Sequence, residues 1–174
     1  MHDDAVAPAA TLMLVQQQDL DEQLAALDKL MRGKENQAEV LESIARLRVT
    51  AVVISNQLQA AENPGEDDSK SEMKKIVKSS RRSLSKIADN LMGVILHPRR
   101  KQITAENMKI WQSAVMSLGQ LGEFGAHDLW QIFSKNKKFR DEADFMKLCL
   151  IEIGATKDYT KTTDLVDLLD NSEF

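Results

Sequence analysis

Six cations, Lys74, Lys75, Lys78, Arg81, Arg82 and Lys86, recur at spacings of 1, 3, 3, 1 and 4. On a helix this spacing spreads them over one broad face, and Arg99, Arg100 and Lys101 extend the charge beyond it. Such a row can neutralise phosphates. Each neutralised phosphate releases counterions, so the affinity it supplies falls with salt. Reading a base sequence would further need side chains aimed at base edges, which spacing does not specify. The same row has a plainer use, as a solvated face or a partner for the chain's own acidic segments. Arg82 also stands three residues before Ser85, among Ser79, Ser80 and Ser83, in the pattern of a basic-directed kinase substrate. A phosphate there would cancel much of the positive row.

A second pattern lies near the C-terminus. Leu165, Val166, Leu168 and Leu169 are set among Asp164, Asp167 and Asp170. One or two helical turns would present an apolar patch rimmed by negative charge. A peptide that docks in a groove has this form, and so does a helix that folds back on its own bundle.

Catalytic constellations are harder to assemble. His2, His97 and His127 are isolated, apart from Glu123 four residues before His127. Cys149 shares a helical face with Phe145 and Ile153, where a thiol is buried and inert. The acid pairs Asp21 with Glu22 and Asp141 with Glu142 belong to hydrophilic faces. The glycines Gly119, Gly122 and Gly125 lack the Lys-Ser/Thr of a phosphate loop and the cationic flanks of an RNA clamp, so they read as helix terminators. Trp111, Trp130 and Phe133 read as core. The expectation is a protein that is not an enzyme, without cofactor, metal or evident small-molecule substrate.

The elements that would position these residues follow from the hydrophobic period. Leu20, Leu24, Leu27 and Met31 line one stripe of a helix over about residues 11–31, stopped by Gly33. Val40, Ile44, Leu47, Ala51, Ile54 and Leu58 step by 4, 3, 4, 3, 4 through a second helix, about 35–61, antiparallel to the first. Residues 49–54 are rich in β-branched side chains and by themselves suit a strand, but their flanks keep the helical period. The polar stretch 63–71 holds Pro64 and Gly65 and reads as an exposed, flexible loop. Ser71 and Glu72 open a third helix to about Leu96, with Met73, Val77, Ser80, Leu84, Ile87, Leu91 and Val94 on its seam, ended by His97 and Pro98. Thr104 caps a fourth, with Met108, Trp111, Val115 and Leu118 inward. Short helices follow around Leu129 to Phe133 and over about 140–153, the latter stopped by Gly154.

The predicted architecture is all-α, a bundle of about four long helices and two or three short ones in one domain of 174 residues. The loop divides a hairpin, 11–62, from a second part, 72–160, with an acidic amphipathic tail at 161–174. A chain of this size can bury a full core, and its one cysteine excludes an internal disulfide. Seven glycines and three prolines are too few for collagen, a turn-rich sandwich or low-complexity disorder.

The net charge of -4 conceals three blocks. Residues 1–73 hold 6 basic and 14 acidic side chains, 74–109 hold 10 and 2, and 110–174 hold 7 and 11. Residues 1–10 carry Asp3 and Asp4 and no cation, the apolar run 12–15 is too short for a signal peptide, and no stretch suits a membrane span. A cytoplasmic location, or a nuclear one in a eukaryote, is expected. The seams outnumber what one small core needs, so the chain reads as an interaction or assembly protein, an adaptor or regulator that binds a protein partner or itself. The alternative is a nucleic-acid-binding helical protein that uses residues 74–101.

Overall fold

The computed structural model describes residues 6–33, 36–158, 160, 163–164 and 166–167, with side chains from residue 13 onward. Three helices of 26 or 27 residues come first: α1 (Val6–Arg32), α2 (Gln37–Glu62) and α3 (Lys70–Ile95). Three of 13 or 14 follow: α4 (Ala105–Leu118), α5 (Glu123–Lys135) and α6 (Ala143–Ala155). Single 3₁₀ turns stand at Gly119–Leu121 and Lys137–Phe139. The protein is all-α, with no strand among the described residues, and residues 49–54 are helical. Long and short helices divide three and three.

α2 is the hub, packed against α1, α3 and α4. Its six seam residues from Val40 to Leu58 are all buried, as are Leu20, Leu24, Leu27 and Met31 of α1 and Leu84, Ile87, Leu91 and Val94 of α3. One hydrophobic cluster runs from Leu20 to Ile153, on both sides of the loop between α2 and α3. In its second half, Trp111 meets Phe139 edge-on at 5.0 Å, and Phe139 meets Phe145 at 4.3 Å. Polar side chains fasten α2 laterally. Arg48 donates to Ser117 Oγ (3.0 Å), Ser113 O (3.0 Å) and Ser113 Oγ (2.9 Å) on α4, and Thr50 donates to Gln23 Oε1 (3.0 Å) on α1.

Local chemistry moves several expected boundaries. α3 starts at Lys70 because Ser69, not Ser71, is its cap, its hydroxyl accepting from Glu72 N at 3.5 Å. Thr104 caps α4 as expected, accepting from Asn107 N at 3.1 Å. Asn36 caps α2, accepting from Ala38 N at 2.6 Å. The connection between α2 and α3 is exposed and closed by its own bonds, Gly65 N to Asp68 Oδ2 (2.7 Å) and Asp68 N to Gly65 O (3.2 Å). The expected start of the second helix, Glu35, lies outside the described residues.

Gly125 does not break a helix. It lies in the first turn of α5, where an added Cβ would fall inside the Leu118 carbonyl, so glycine is what lets α5 press against the end of α4. Gly122, at φ +58°, makes the corner. The last helix starts at Ala143 rather than Arg140, because residues 137–139 form a 3₁₀ turn. It runs through Gly154 to Ala155 and is followed by Lys157 at φ +55°.

Candidate interaction surfaces

The basic row is divided by the fold. Arg81 reaches Glu62 of α2 (2.8 Å) and Glu123 of α5 (2.6 Å), so it ties three helices together, and the bonds to those carboxylates raise its pKa. Lys86 pairs with Asp21 of α1 at 3.2 Å. Arg99 donates to the Arg32 carbonyl, and Arg100, mostly buried, donates to Asn107 Oδ1 at 3.0 Å and faces Glu106 at 3.7 Å. By contrast, Lys74, Lys75, Lys78 and Arg82 are exposed and make no ion pair among the described residues. These four occupy eight residues of rise, about 12 Å, at the N-terminal half of α3. Ser80 and Ser83 are buried, Ser83 donating to Gln17, whereas Ser85 is exposed.

Lys101 belongs elsewhere. Lys138 Nζ donates to the Arg100 carbonyl at 3.0 Å and sits 3.6 Å from the Trp111 ring centroid, and burial lowers its pKa. This contact pins the loop after α3 to the turn after α5. Residues 97–107 and 135–142 together hold seven cations, Arg99, Arg100, Lys101, Lys135, Lys137, Lys138 and Arg140, against Glu106, Asp141 and Glu142. His97 registers the field: burial first, then Arg100, Arg99 and Arg32, lower its pKa. Where the C-terminal ends of α3 and α5 meet there is a groove of about 310 Å³ lined by Met92, Leu96, Gln131, Ile132, Lys135, Asn136 and Lys137. The run Lys135 to Arg140 was legible as a charge run, but nothing in the sequence placed it beside Arg99 to Lys101.

The third surface is apolar. Val49, Val52 and Val53 stand on the side of α2 opposite its seam and are 66%, 38% and 45% exposed. β-Branched residues are middling helix formers, so neither propensity nor burial accounts for three of them there.

The residues weighed for catalysis are dispersed. Cys149 is fully buried and its thiol is pushed up to about 12 by burial. His127 faces Gln131 at 3.2 Å, while Glu123 is taken by Arg81. Burial raises the pKa of Glu152, which Arg48 partly offsets. Its Oε2 is buried without a hydrogen-bond partner among the described residues, in space that a Gly119 side chain would fill. Among the described residues, no three His, Cys, Asp or Glu are grouped to hold a metal, and no helix is long and apolar enough to cross a membrane. Of the C-terminal candidates, Val166 is 49% exposed, and Leu165, Leu168 and Leu169 lie outside the described residues, as does His2. Comparison with family models, curated proteins and solved structures finds no match.

Proposed function

We propose that this chain is a non-enzymatic interaction or assembly protein, an adaptor or regulator whose α2 carries a docking side for a helix of a protein partner. The observation that carries this reading is the exposed triad Val49, Val52 and Val53 on a helix whose other side already fills the core. Three exposed aliphatic side chains clustered on one stretch of a helix, next to the Glu42–Arg46 ion pair, form an apolar patch with a charged edge that another helix can cover. Residues three and four apart form a stripe that a partner helix can seat against. Apolar contact would supply affinity, and the charge blocks would supply selectivity.

The test is copurification from the native source with wild-type chain and with a Val49→Lys, Val53→Lys double variant, alongside light scattering of each. A partner, or a mass above 19.5 kDa, that the double variant loses while keeping its helicity is the expected result. Identical associations for both chains would remove the reading.

A second reading is contact with nucleic acid, favoured by the four exposed cations Lys74, Lys75, Lys78 and Arg82, which make no ion pair among the described residues. Its probe is Lys74→Glu, Lys78→Glu, Arg82→Glu, leaving Arg81 in place because it joins three helices. Retention of oligonucleotides should fall linearly in log affinity against log salt and vanish in the variant. Equal retention by variant and wild type would end it.

A further inference from the structure

We infer that the pole of the bundle where α1, α3 and α5 end is a peripheral docking surface for an anionic lipid bilayer. Leu96 and Ile103 enter the headgroup region there, and the cations around them meet the lipid phosphates and carboxylates. This is a surface contact, not a span. It goes beyond the interaction reading and shares no residue with the valine side of α2 or with the row Lys74 to Arg82.

The fold builds this pole around one loop, residues 97–103, held from three sides. Arg99 donates to the Arg32 carbonyl at the end of α1, and Lys138 Nζ, from the turn after α5, donates to the Arg100 carbonyl at 3.0 Å. On the α4 side Arg100 donates to Asn107 Oδ1 at 3.0 Å, and Asn107 Nδ2 donates to the Gln102 carbonyl at 2.9 Å. A loop fixed in this way keeps its outward side chains outward. Leu96 and Ile103, which bracket it, are 58% and 46% exposed. Arg99 and Lys101 belong to the loop itself, Lys135 and Lys137 share a groove wall with Leu96, and Arg140 closes the turn that holds Lys138. All five are exposed and make no ion pair among the described residues. Helix dipoles favour Lys135 at the end of α5. They give no reason for Lys101 or Arg140, which stand three residues ahead of Thr104 and Ala143, where α4 and α6 begin.

The combination of cations with protruding aliphatics selects the partner. Cations alone would serve any polyanion. A nucleic-acid backbone has no use for exposed aliphatics, and the ring that could stack a base here, Phe139, is fully buried. An acidic peptide calls for a concave apolar floor, whereas Leu96 stands out with more than half of its surface in water. The interface of an anionic bilayer takes apolar side chains about 5–10 Å deep and attracts Lys and Arg through its surface potential. Charge also sets the orientation. Residues 97–107 and 135–142 carry seven cations against three acids, an excess of four, in a chain of net charge -4. The rest of the chain is therefore negative, and the plane that attracts this pole repels it.

The experiment is cosedimentation of the full chain with vesicles of phosphatidylcholine, alone or with about a third phosphatidylserine, over a salt series. Expected is binding at least tenfold stronger to the anionic vesicles, weakening as salt rises. Each Lys or Arg at such a surface is worth about fivefold in partitioning, so Lys135→Glu with Lys137→Glu should lower binding at least tenfold at unchanged helicity. Leu96→Ser with Ile103→Ser, which keeps every cation, should lower it at least fivefold. An environment-sensitive fluorophore on an Ile103→Cys variant should shift to the blue on anionic vesicles, Cys149 being buried and unlabelled. Absence of binding to anionic vesicles at low salt overturns the inference, as does binding that either double variant leaves unchanged or a label at residue 103 that stays as it is in water. An equal loss on Lys74→Glu with Lys78→Glu would mean charge attraction without a preferred pole and would also overturn it. Retention of an oligonucleotide or of polyglutamate, lost on the Lys135 and Lys137 reversal and without vesicle binding, would give the pole to that polyanion instead.

Discussion

The two sides of α2 carry similar aliphatic side chains and meet opposite fates. Ile44, Leu47, Ala51 and Ile54 retain no more than 2% of their exposure, whereas Val49, Val52 and Val53, interleaved with them in sequence, keep between 38% and 66%. The bundle closes with one side of its central helix used and the other left over. The apolar content of a segment therefore does not measure its contribution to the core: direction on the helix does, and the surplus is a property of the surface.

Substitutions on the two sides should separate by several kcal/mol. The largest effect belongs to the inner side. Ile44→Asp would place a carboxylate among fully buried aliphatics and should leave the chain unfolded at 25 °C, and Leu47→Ala should cost about 2–5 kcal/mol in urea unfolding. A loss below about 1 kcal/mol for Leu47→Ala would erase the distinction between the sides.

Next comes the flank. Arg48→Ala removes three hydrogen bonds between α2 and α4 and should cost about 1–3 kcal/mol, and an unchanged midpoint would mean that α4 docks through its aliphatics alone.

Away from α2, a smaller effect is expected at Asp128, half-buried on α5. Burial raises its carboxyl to about 6, with the like charge of Asp89 adding and His127 opposing. Its pKa is higher folded than unfolded, so the folded state holds the proton more tightly, and stability should fall as pH rises from about 4 to about 6 and then level off. Asp128→Asn should flatten that slope and stabilise the protein at pH 7 by roughly 1 kcal/mol, the shift being discounted for solvent screening. A slope that survives the substitution would assign it to another group. Smallest is the outer side: Val49→Lys with Val53→Lys should change unfolding by no more than about 0.5 kcal/mol.

Most of the fold was legible because the 3.6-residue period is carried by residues that face one direction. The seam of α2 from Val40 to Leu58 and the Thr104 cap of α4 were readable from spacing and residue type. Ser69 was missed because Ser71 offers the same chemistry two positions on, and the hydrogen bond to Glu72 N decides between them. Gly125 was misread because a glycine that breaks a helix and one that admits a neighbouring backbone look identical until Leu118 is in place. The candidate surfaces were legible only in pieces. Spacing put Lys74 through Lys86 on α3 but could not show that Arg81 and Lys86 are taken by Glu62, Glu123 and Asp21. Long-range pairing decided the rest: Lys101 and Lys135 stand 34 positions apart and share one end of the bundle through Lys138.

The claim that the outer side of α2 is covered when the protein is at work can be read at one atom. Cys149 is buried with its thiol near 12, so a Val53→Cys variant presents a single reactive thiol. Its maleimide labelling rate, compared between purified dilute chain and extract of the native source, should fall at least tenfold in the extract. Equal rates in the two would contradict the account.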